Sequence, residues 1–458
     1  VELGGKKVVV AGLGASGLSA ARLLAARGAE VTVSDSRAEG ELAAQVAKLP
    51  SGVRLEAGGN REATFAAADI IVLSPGVAPE IPAVQAAVRA GAEVIGEFEL
   101  ACRFTQTPIA AVSGTNGKTT TTKLLAHLME GAGRRIFCGG NIGTPLCDYA
   151  LGPQEAELVV AEVSSFQLDT CTSFRPKVAV LLNVTPDHLD RYPSMEAYAR
   201  SKGRIFMNQG ESDVAVLNED DPWTPLLRPA VKAQCLTFSS SRAPLPRGAY
   251  LEGSHVTLGP GILPRSAGHS LPLTTFPIAS LKLKGRHNLE NAMAALLAAV
   301  SLGVIDPRGL RNSLESFAPL PHRIELVRRL RGVGFYNDSK GTNVDAVVRA
   351  LGAVPAPVVL IAGGKDKGGG YRELAEALSG RAVAVVTLGE AAPLIERELD
   401  GIVPVVRAHT MEEAVERAAG LSNSPGSVLL SPACSSFDMY ENYAQRGEHF
   451  RRCVMGLT

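Results

Sequence analysis

The 458 residues carry 46 acidic and 46 basic side chains, so no net field draws the chain to nucleic acid or an anionic membrane, and an anionic ligand has to be gripped locally. The length calls for roughly two to three domains, and 46% hydrophobic residues with only 5% aromatics and 47 glycines favour α/β layers over an all-β sandwich. Seven cysteines with no CxxC pair exclude a disulfide framework and a zinc ribbon; with no signal-peptide pattern and no run of membrane-spanning length, a cytoplasmic protein without membrane insertion is expected.

Residues 1–95 read as a Rossmann-like domain. The apolar run 7–11 predicts a strand, Gly12-Leu13-Gly14-Ala15-Ser16-Gly17 a glycine turn, 18–27 a helix, and 30–34 a second strand ending in Asp35-Ser36-Arg37. Alone this fingerprint suggests NAD. The same turn serves any diphosphate, however, and Arg37 beside Asp35 suits a nucleotide's phosphate or uracil equally well. A strand over 69–73 delivers Ser74-Pro75-Gly76 to the same carboxyl edge, where open α/β sheets bind ligands.

Residues 96–318 form a central unit. A buried strand at 109–113 leads into Gly114-Thr115-Asn116-Gly117-Lys118-Thr119-Thr120 and a helix over 121–130, the setting of an ATP phosphate cradle. The loop is one residue shorter than the usual P-loop. Lys118 supplies positive charge, and the Thr119 hydroxyl suits a magnesium ion. The strand 158–162 places Glu162 where nucleotide-bound magnesium needs an acid. Asn141 sits in a glycine turn, and Ser164 and Gln167 follow the Glu162 strand. His188 lies in the acidic loop after a strand at 178–182, where either a structural role or a metal or substrate role fits. Lys202, in a helical stretch over 194–208, reads as a surface lysine, and Asn288 as the N-cap of an alanine-rich helix running to 301. Residues 239–280, rich in Ser, Pro and Gly, resemble an irregular β insertion.

Residues 319–458 begin at a hinge over 320–325. Strands at 335–337, 358–362, 383–388 and 427–430 alternate with helices, predicting a second Rossmann-like domain. Its loops, 338–343, 363–370 and 431–438, bring Lys, Asp, Ser and Thr to one edge and suggest a substrate site.

Taken together, the loop 114–120, the Glu162 strand end, the loop 183–188, His287-Asn288, His322-Arg323 and Asp338-Ser339-Lys340 closely resemble the Mur ligase family, almost end to end and least over 200–280. The N-terminal glycine unit with Asp35-Ser36-Arg37, the run 164–168 and the tail 431–438 resemble the D-glutamate-adding members. The Asp-Asn-Pro-Arg motif of the diaminopimelate- and lysine-adding relatives is absent. The resemblance implies a three-domain α/β enzyme, Rossmann-like at both ends around a P-loop-type ATPase domain, that couples ATP to amide formation between UDP-N-acetylmuramoyl-L-alanine and D-glutamate. It further implies that Ser16, Asp35, Ser36, Arg37 and Gly76 hold the UDP part, and that Asn141, Ser164 and Gln167 reach the sugar or its peptide stem. The loop 114–120 with Asn288, Arg323, Asp338 and Lys340 would hold ATP, and Thr342, Lys367, Ser436, Phe437 and Tyr443 the glutamate. Two magnesium ions would sit on Thr119 with Glu162 and on His188 with a carbamylated Lys202; Lys118, His188 and Lys202 would be catalytic. A monomer that closes its C-terminal domain over ATP is expected. An NAD-dependent oxidoreductase leaves the phosphate loop unexplained, a folylpolyglutamate synthetase-like ligase lacks this first domain, and a non-catalytic nucleotide binder has no use for the set Lys118, Glu162, His188 and Lys202.

Overall fold

Runs of β-branched residues closed by glycine turns form three separate sheets in this computed structural model, which describes residues 2–262, 274–283, 285–368 and 370–458. The first is wholly parallel, in the spatial order Arg54–Ala57, Glu30–Asp35, Lys7–Ala11, Ile70–Leu73, Glu93–Gly96. Val8, Val9, Val10, Ile71 and Val72 are buried because helices cover both faces. Winding reverses between Lys7–Ala11 and Ile70–Leu73, which opens a crevice at their carboxyl ends. Gly17 allows the following helix, Ala15–Ala26, to lie close to that edge: a Cβ there would fall 1.9 Å from the Gly12 carbonyl oxygen.

In the central sheet the order is Thr274–Pro277, His255–Leu258, Gly248–Glu252, Gln234–Ser239, Val214–Asn218, Val178–Leu181, Ile109–Ser113, Leu158–Glu162, Ile136–Gly140, antiparallel only at the first two pairings. The stretch 239–280 is thus more regular than its composition suggested. Val256, Leu258 and Phe276 point into the core and pair its short strands onto the sheet, while 263–273 lie outside the described residues. The helix Arg286–Ser301 packs its alanines, fully buried at 292, 294, 295, 298 and 299, against the phosphate-loop helix Lys118–Gly131. Small side chains let the two backbones approach. The latter helix starts at Lys118, three residues before the apolar pattern shows it, because Gly117 turns left-handed (φ 86°) at a position where a Cβ would meet Asn291 Oδ1 at 2.2 Å.

The third sheet runs Glu325–Leu330, Val333–Asn337, Gly426–Leu430, Val358–Gly363, Ala382–Leu388, Val405–Arg407, with only the first strand antiparallel. That strand begins where the expected hinge over 320–325 ends. As an edge strand carrying Arg328 and Arg329, it shows no apolar signal. Among the described residues no helix is long and apolar enough to cross a membrane.

Candidate active site

The crevice of the first sheet is a cavity of about 400 Å³, lined among others by Ser16, Asp35, Ser36, Arg37 and Gly76. Asp35 is buried, and both its oxygens are engaged. Oδ2 accepts from the Leu13 N–H (2.7 Å) and Arg37 Nη2 (2.8 Å), Oδ1 from the Arg37 N–H (2.9 Å) and Nε (3.0 Å). Burial pushes its pKa up, but the Arg37 side chain and the two backbone donors outweigh that and hold it at about 2. The carboxylate therefore organises the glycine turn and orients Arg37, whose guanidinium lines the cavity, which suits an anionic ligand better than a ribose diol.

Flanking strands assemble the phosphate site. Ile109–Ser113 lies between Leu158–Glu162 and Val178–Leu181, so the loop 114–120, Glu162 and the loop after Val178–Leu181 emerge side by side. Thr119 Oγ1 donates to Glu162 Oε2 (2.7 Å) and Asn141 Nδ2 to Glu162 Oε1 (2.9 Å). Next to them, Ser164 and Gln167 form a capping box on the short helix Ser165–Asp169: Gln167 N–H donates to Ser164 Oγ (3.3 Å), and Gln167 Oε1 accepts from the Ser164 N–H and O–H (both 3.0 Å). Asn116 N–H donates to Asn183 Oδ1 (2.8 Å), which pins the loop to the neighbouring strand end.

Lys202 is not a surface lysine. It is 1% exposed, and its Nζ donates to the Gly114 carbonyl (2.8 Å), the same oxygen that accepts from Lys118 Nζ (2.8 Å). Burial foremost, and then the Lys118 charge, pull the Lys202 pKa well below the usual lysine value. Its helix, Met195–Gly203, buries Tyr198, Ala199, Ser201 and Lys202, a face too polar to stand out in the sequence. His188, at φ 56°, packs edge-on against Phe166 and lies 3.6 Å from Asp187; burial chiefly lowers its pKa to about 4. Arg191 stacks on Phe166 (4.1 Å) and donates to the Pro75 carbonyl (3.5 Å), which joins this loop to the first crevice.

A slot of about 70 Å³ between the central and third sheets is lined by Asn116, Gly117, Thr120, His287, Asn288, Arg323, Asp338 and Lys340. Gly285, not Asn288, is the N-cap of Arg286–Ser301; Asn288 lies within the first turn, where the chain is already helical, and its Oδ1 accepts from Asn291 (3.2 Å). Burial raises the Asp338 pKa to about 7 against the Ser431 hydrogen bond and the Arg323 charge. Lys340, over the Tyr443 ring at 3.8 Å, is lowered to about 8, by burial first and then by Arg323.

Thr342 and Lys367 line a neighbouring cavity of about 220 Å³ together with Asp187 and Asp345. Lys367 Nζ lies 3.2 Å from Asp187 Oδ1. Ser436, Phe437 and Tyr443 do not line this cavity: Ser436 is buried, Phe437 is 70% exposed, and Tyr443 packs under Lys340 on the nucleotide side. The sequence reading passed over Asp187, Asn343, Asp345 and Arg349. Only the Asn343-x-Asp345 helix start offered a local signal, a cap followed by an acid.

His287, on the nucleotide slot, is lowered to about 4 by burial and by the Arg349 and Arg323 charges. It is neutral when folded but takes up a proton in the unfolded chain between pH ~6.5 and ~4, so stability falls as pH drops through that window. Thermal unfolding from pH 7 to 4.5 should show this loss, and His287→Gln should remove on the order of 1 kcal/mol of it. An unchanged slope would exclude His287 as a contributor.

Three family models match the chain in succession: the Mur ligase MurD-like N-terminal domain over residues 6–96, the Mur ligase middle domain over 112–299, and the Mur ligase glutamate ligase domain over 322–434. A UDP-N-acetylmuramoylalanine--D-glutamate ligase of Geobacter metallireducens is 46% identical over 458 residues, covering 100% of this chain and 99% of its own length. Among solved structures, a pseudomurein peptide ligase type C from Methanothermus fervidus superposes with TM-score 0.62 at 19% identity, covering 99% and 100% of the two chains. The MurF ligase of Thermotoga maritima in complex with ADP superposes with TM-score 0.59 at 20% identity, covering 99% and 96%. At those identities the superpositions speak for the fold, while the full-length match at 46% identity speaks for descent: this chain belongs to the Mur ligase family.

Proposed function

We propose that the chain joins the amine of D-glutamate to the alanyl carboxylate of UDP-N-acetylmuramoyl-L-alanine, using ATP, in peptidoglycan precursor synthesis in the cytoplasm. One observation carries this reading: the phosphate loop lines the nucleotide slot through Asn116, Gly117 and Thr120, the Asn116 side chain bonds to Asn343 and Asp345 in the wall of the Thr342–Lys367 cavity, and Arg191 ties the neighbouring loop to Pro75 in the Arg37 crevice. Residues 1–95 bind the UDP substrate, 96–318 bind ATP, and 319–458 bind the amino acid.

Arg37 and the glycine turn take the UDP part, with Ser16, Asp35, Ser36 and Gly76 forming the walls. Gln167 Nε2 is buried without a hydrogen-bond partner, so a carbonyl of the sugar or peptide stem would satisfy it, with Asn141 and Ser164 beside it. The N–H groups of Lys118, Thr119 and Thr120, which open the helix Lys118–Gly131, and the Lys118 side chain hold the ATP phosphates, while Asn288, Arg323, Asp338 and Lys340 bound the nucleoside end. Lys367 and Thr342 hold a carboxylate of glutamate. The alanyl carboxylate attacks the γ-phosphorus, ADP leaves, and the amine of D-glutamate displaces phosphate from the resulting acyl phosphate. Lys118 screens the charge that builds up in the transfer.

Thr119 and Glu162, two hard oxygen donors 2.7 Å apart at a strand end, fit magnesium. His188 and Lys202 fit a second ion only once the lysine is an anionic carbamate. Lys202 suits that change, since a buried amine sharing one carbonyl with Lys118 is driven toward the neutral form that adds carbon dioxide. Bound there, magnesium neutralises phosphate charge.

The test is phosphate release from ATP and magnesium with UDP-N-acetylmuramoyl-L-alanine, adding D-glutamate, L-glutamate, meso-diaminopimelate or L-alanine in turn. Release only with D-glutamate is expected. Release with a different acceptor moves the specificity, and none from folded protein that binds ATP removes the enzymatic reading.

A further inference from the structure

The helix Val344–Ala353 of the third sheet reaches the phosphate loop through groups remote in sequence. Asp345 Oδ2 accepts from Asn116 Nδ2 (2.7 Å), 229 residues away, from Thr185 Oγ1 (3.2 Å), and from Arg349 Nε (2.9 Å) one turn along its own helix. Arg349 extends the chain of contacts to Glu290 Oε2 (3.4 Å) on the helix Arg286–Ser301. Asn343, which caps the helix by accepting from the Ala346 N–H (2.8 Å), donates to Asn116 Oδ1 and to Asp187 Oδ2 (both 3.2 Å). Asp345 lines the Thr342–Lys367 cavity, and Ala346 and Arg349 line the nucleotide slot, so the first two turns of this helix are the wall between them.

Asn116 is thereby held from two sides. Its backbone N–H and carbonyl are paired with Asn183 within the central domain (2.8 and 3.1 Å), while its side chain is paired with Asn343 and Asp345 of the C-terminal domain. The backbone contacts lie wholly within the central domain, whereas among the side-chain contacts only the long one to Thr185 Oγ1 (3.5 Å) does; those to Asn343 and Asp345 cross to the C-terminal domain. Asp345 and Glu290 are largely shielded, at 18% and 14% side-chain exposure, so their charge-assisted bonds are not the freely solvated kind that contributes little.

We propose that Asp345 is a positioning residue that locks the Asn116 side chain when the C-terminal domain is seated, making the phosphate loop competent for phosphoryl transfer only beside a correctly placed acceptor cavity. The assignment rests on the ligase reading above. It predicts that loss of Asp345 harms turnover rather than nucleotide capture.

Wild type, Asp345→Ala and Asp345→Asn would be compared in steady-state phosphate release, in titration with a fluorescent ADP analogue, and in small-angle scattering with and without a non-hydrolysable ATP analogue plus UDP-N-acetylmuramoyl-L-alanine. For Asp345→Ala we expect kcat to fall about ten-fold, the scale of one charge-assisted hydrogen bond. The ADP-analogue affinity should stay within about two-fold, and ligand-induced contraction should be lost. Asp345→Asn keeps an oxygen that accepts from Asn116 and should recover most of the turnover and contraction. Wild-type kcat in Asp345→Ala would overturn the proposal, as would a loss of nucleotide affinity that tracks a lowered Tm and is not rescued by asparagine. Should wild type release no phosphate, the ligase reading fails by itself, and the scattering comparison still decides whether Asp345 holds the domains together.

Discussion

Replacing Lys202 with methionine is expected to lower kcat for phosphate release roughly 1,000-fold while leaving thermal stability unchanged or raised. The two effects separate because the site is built for chemistry at the expense of packing. An ammonium group at 1% exposure, sharing the Gly114 carbonyl with Lys118, has lost its water and gained a like charge, so an apolar side chain of similar length relieves a cost that the fold otherwise carries. On the ligase reading activity should be lost because methionine, unlike a carbamate on Lys202, would offer no oxygen ligand to a metal held by His188. A carbamate signal from wild type in carbon-13 bicarbonate, absent in Lys202→Met, would establish the modification. A methionine variant with near-normal turnover would show that Lys202 is simply a buried amine. A strong drop in Tm would show that its bond to Gly114 stabilises the loop more than its burial costs.

For Lys118→Ala, a fall of roughly 100- to 1,000-fold in kcat/KM is expected, the scale on which one preorganised charge acts on a phosphoryl transition state. Its Nζ donates to the carbonyls of Gly114 (2.8 Å) and Thr115 (2.7 Å), bonds that keep the ammonium over the mouth of the loop. Burial pulls its pKa down, while Glu162 and Asp187 pull it back, so an arriving phosphate supplies the countercharge this group lacks. Folding should survive, since residues 114–117 are also fixed by Asn183 and by the close approach of Gly117 to Asn291. Unchanged nucleotide affinity together with unchanged turnover would remove Lys118 from the phosphate site.

The sequence was most legible where a function is carried by neighbours along the chain. Gly12, Gly17 and Asp35, the loop 114–120 and Glu162 are each set by a strand, a turn and the helix that follows, so spacing alone locates them, and the structure places them at the carboxyl ends of its sheets. Residue type without partner was ambiguous: Asp35 matched a ribose acid as well as an arginine holder, and only the bonds from Leu13 and Arg37 distinguish the two. Helix starts were misjudged at Lys118 and Asn288, where left-handed or extended glycines, rather than the apolar period, begin the turn. Lys202 read as exposed because nothing along its helix records that its polar face is covered by the phosphate loop 88 residues away. Asp187, Asn343, Asp345 and Arg349 acquire their significance only when the third sheet is set against the central one. Three α/β units, their glycine turns and the phosphate cradle could be read along the chain, because short-range sterics and hydrophobic period decide them locally. Tertiary structure alone decided which charges are buried together and which loops from different domains meet, because desolvation and hydrogen-bond pairing depend on neighbours in space that no spacing along the chain encodes.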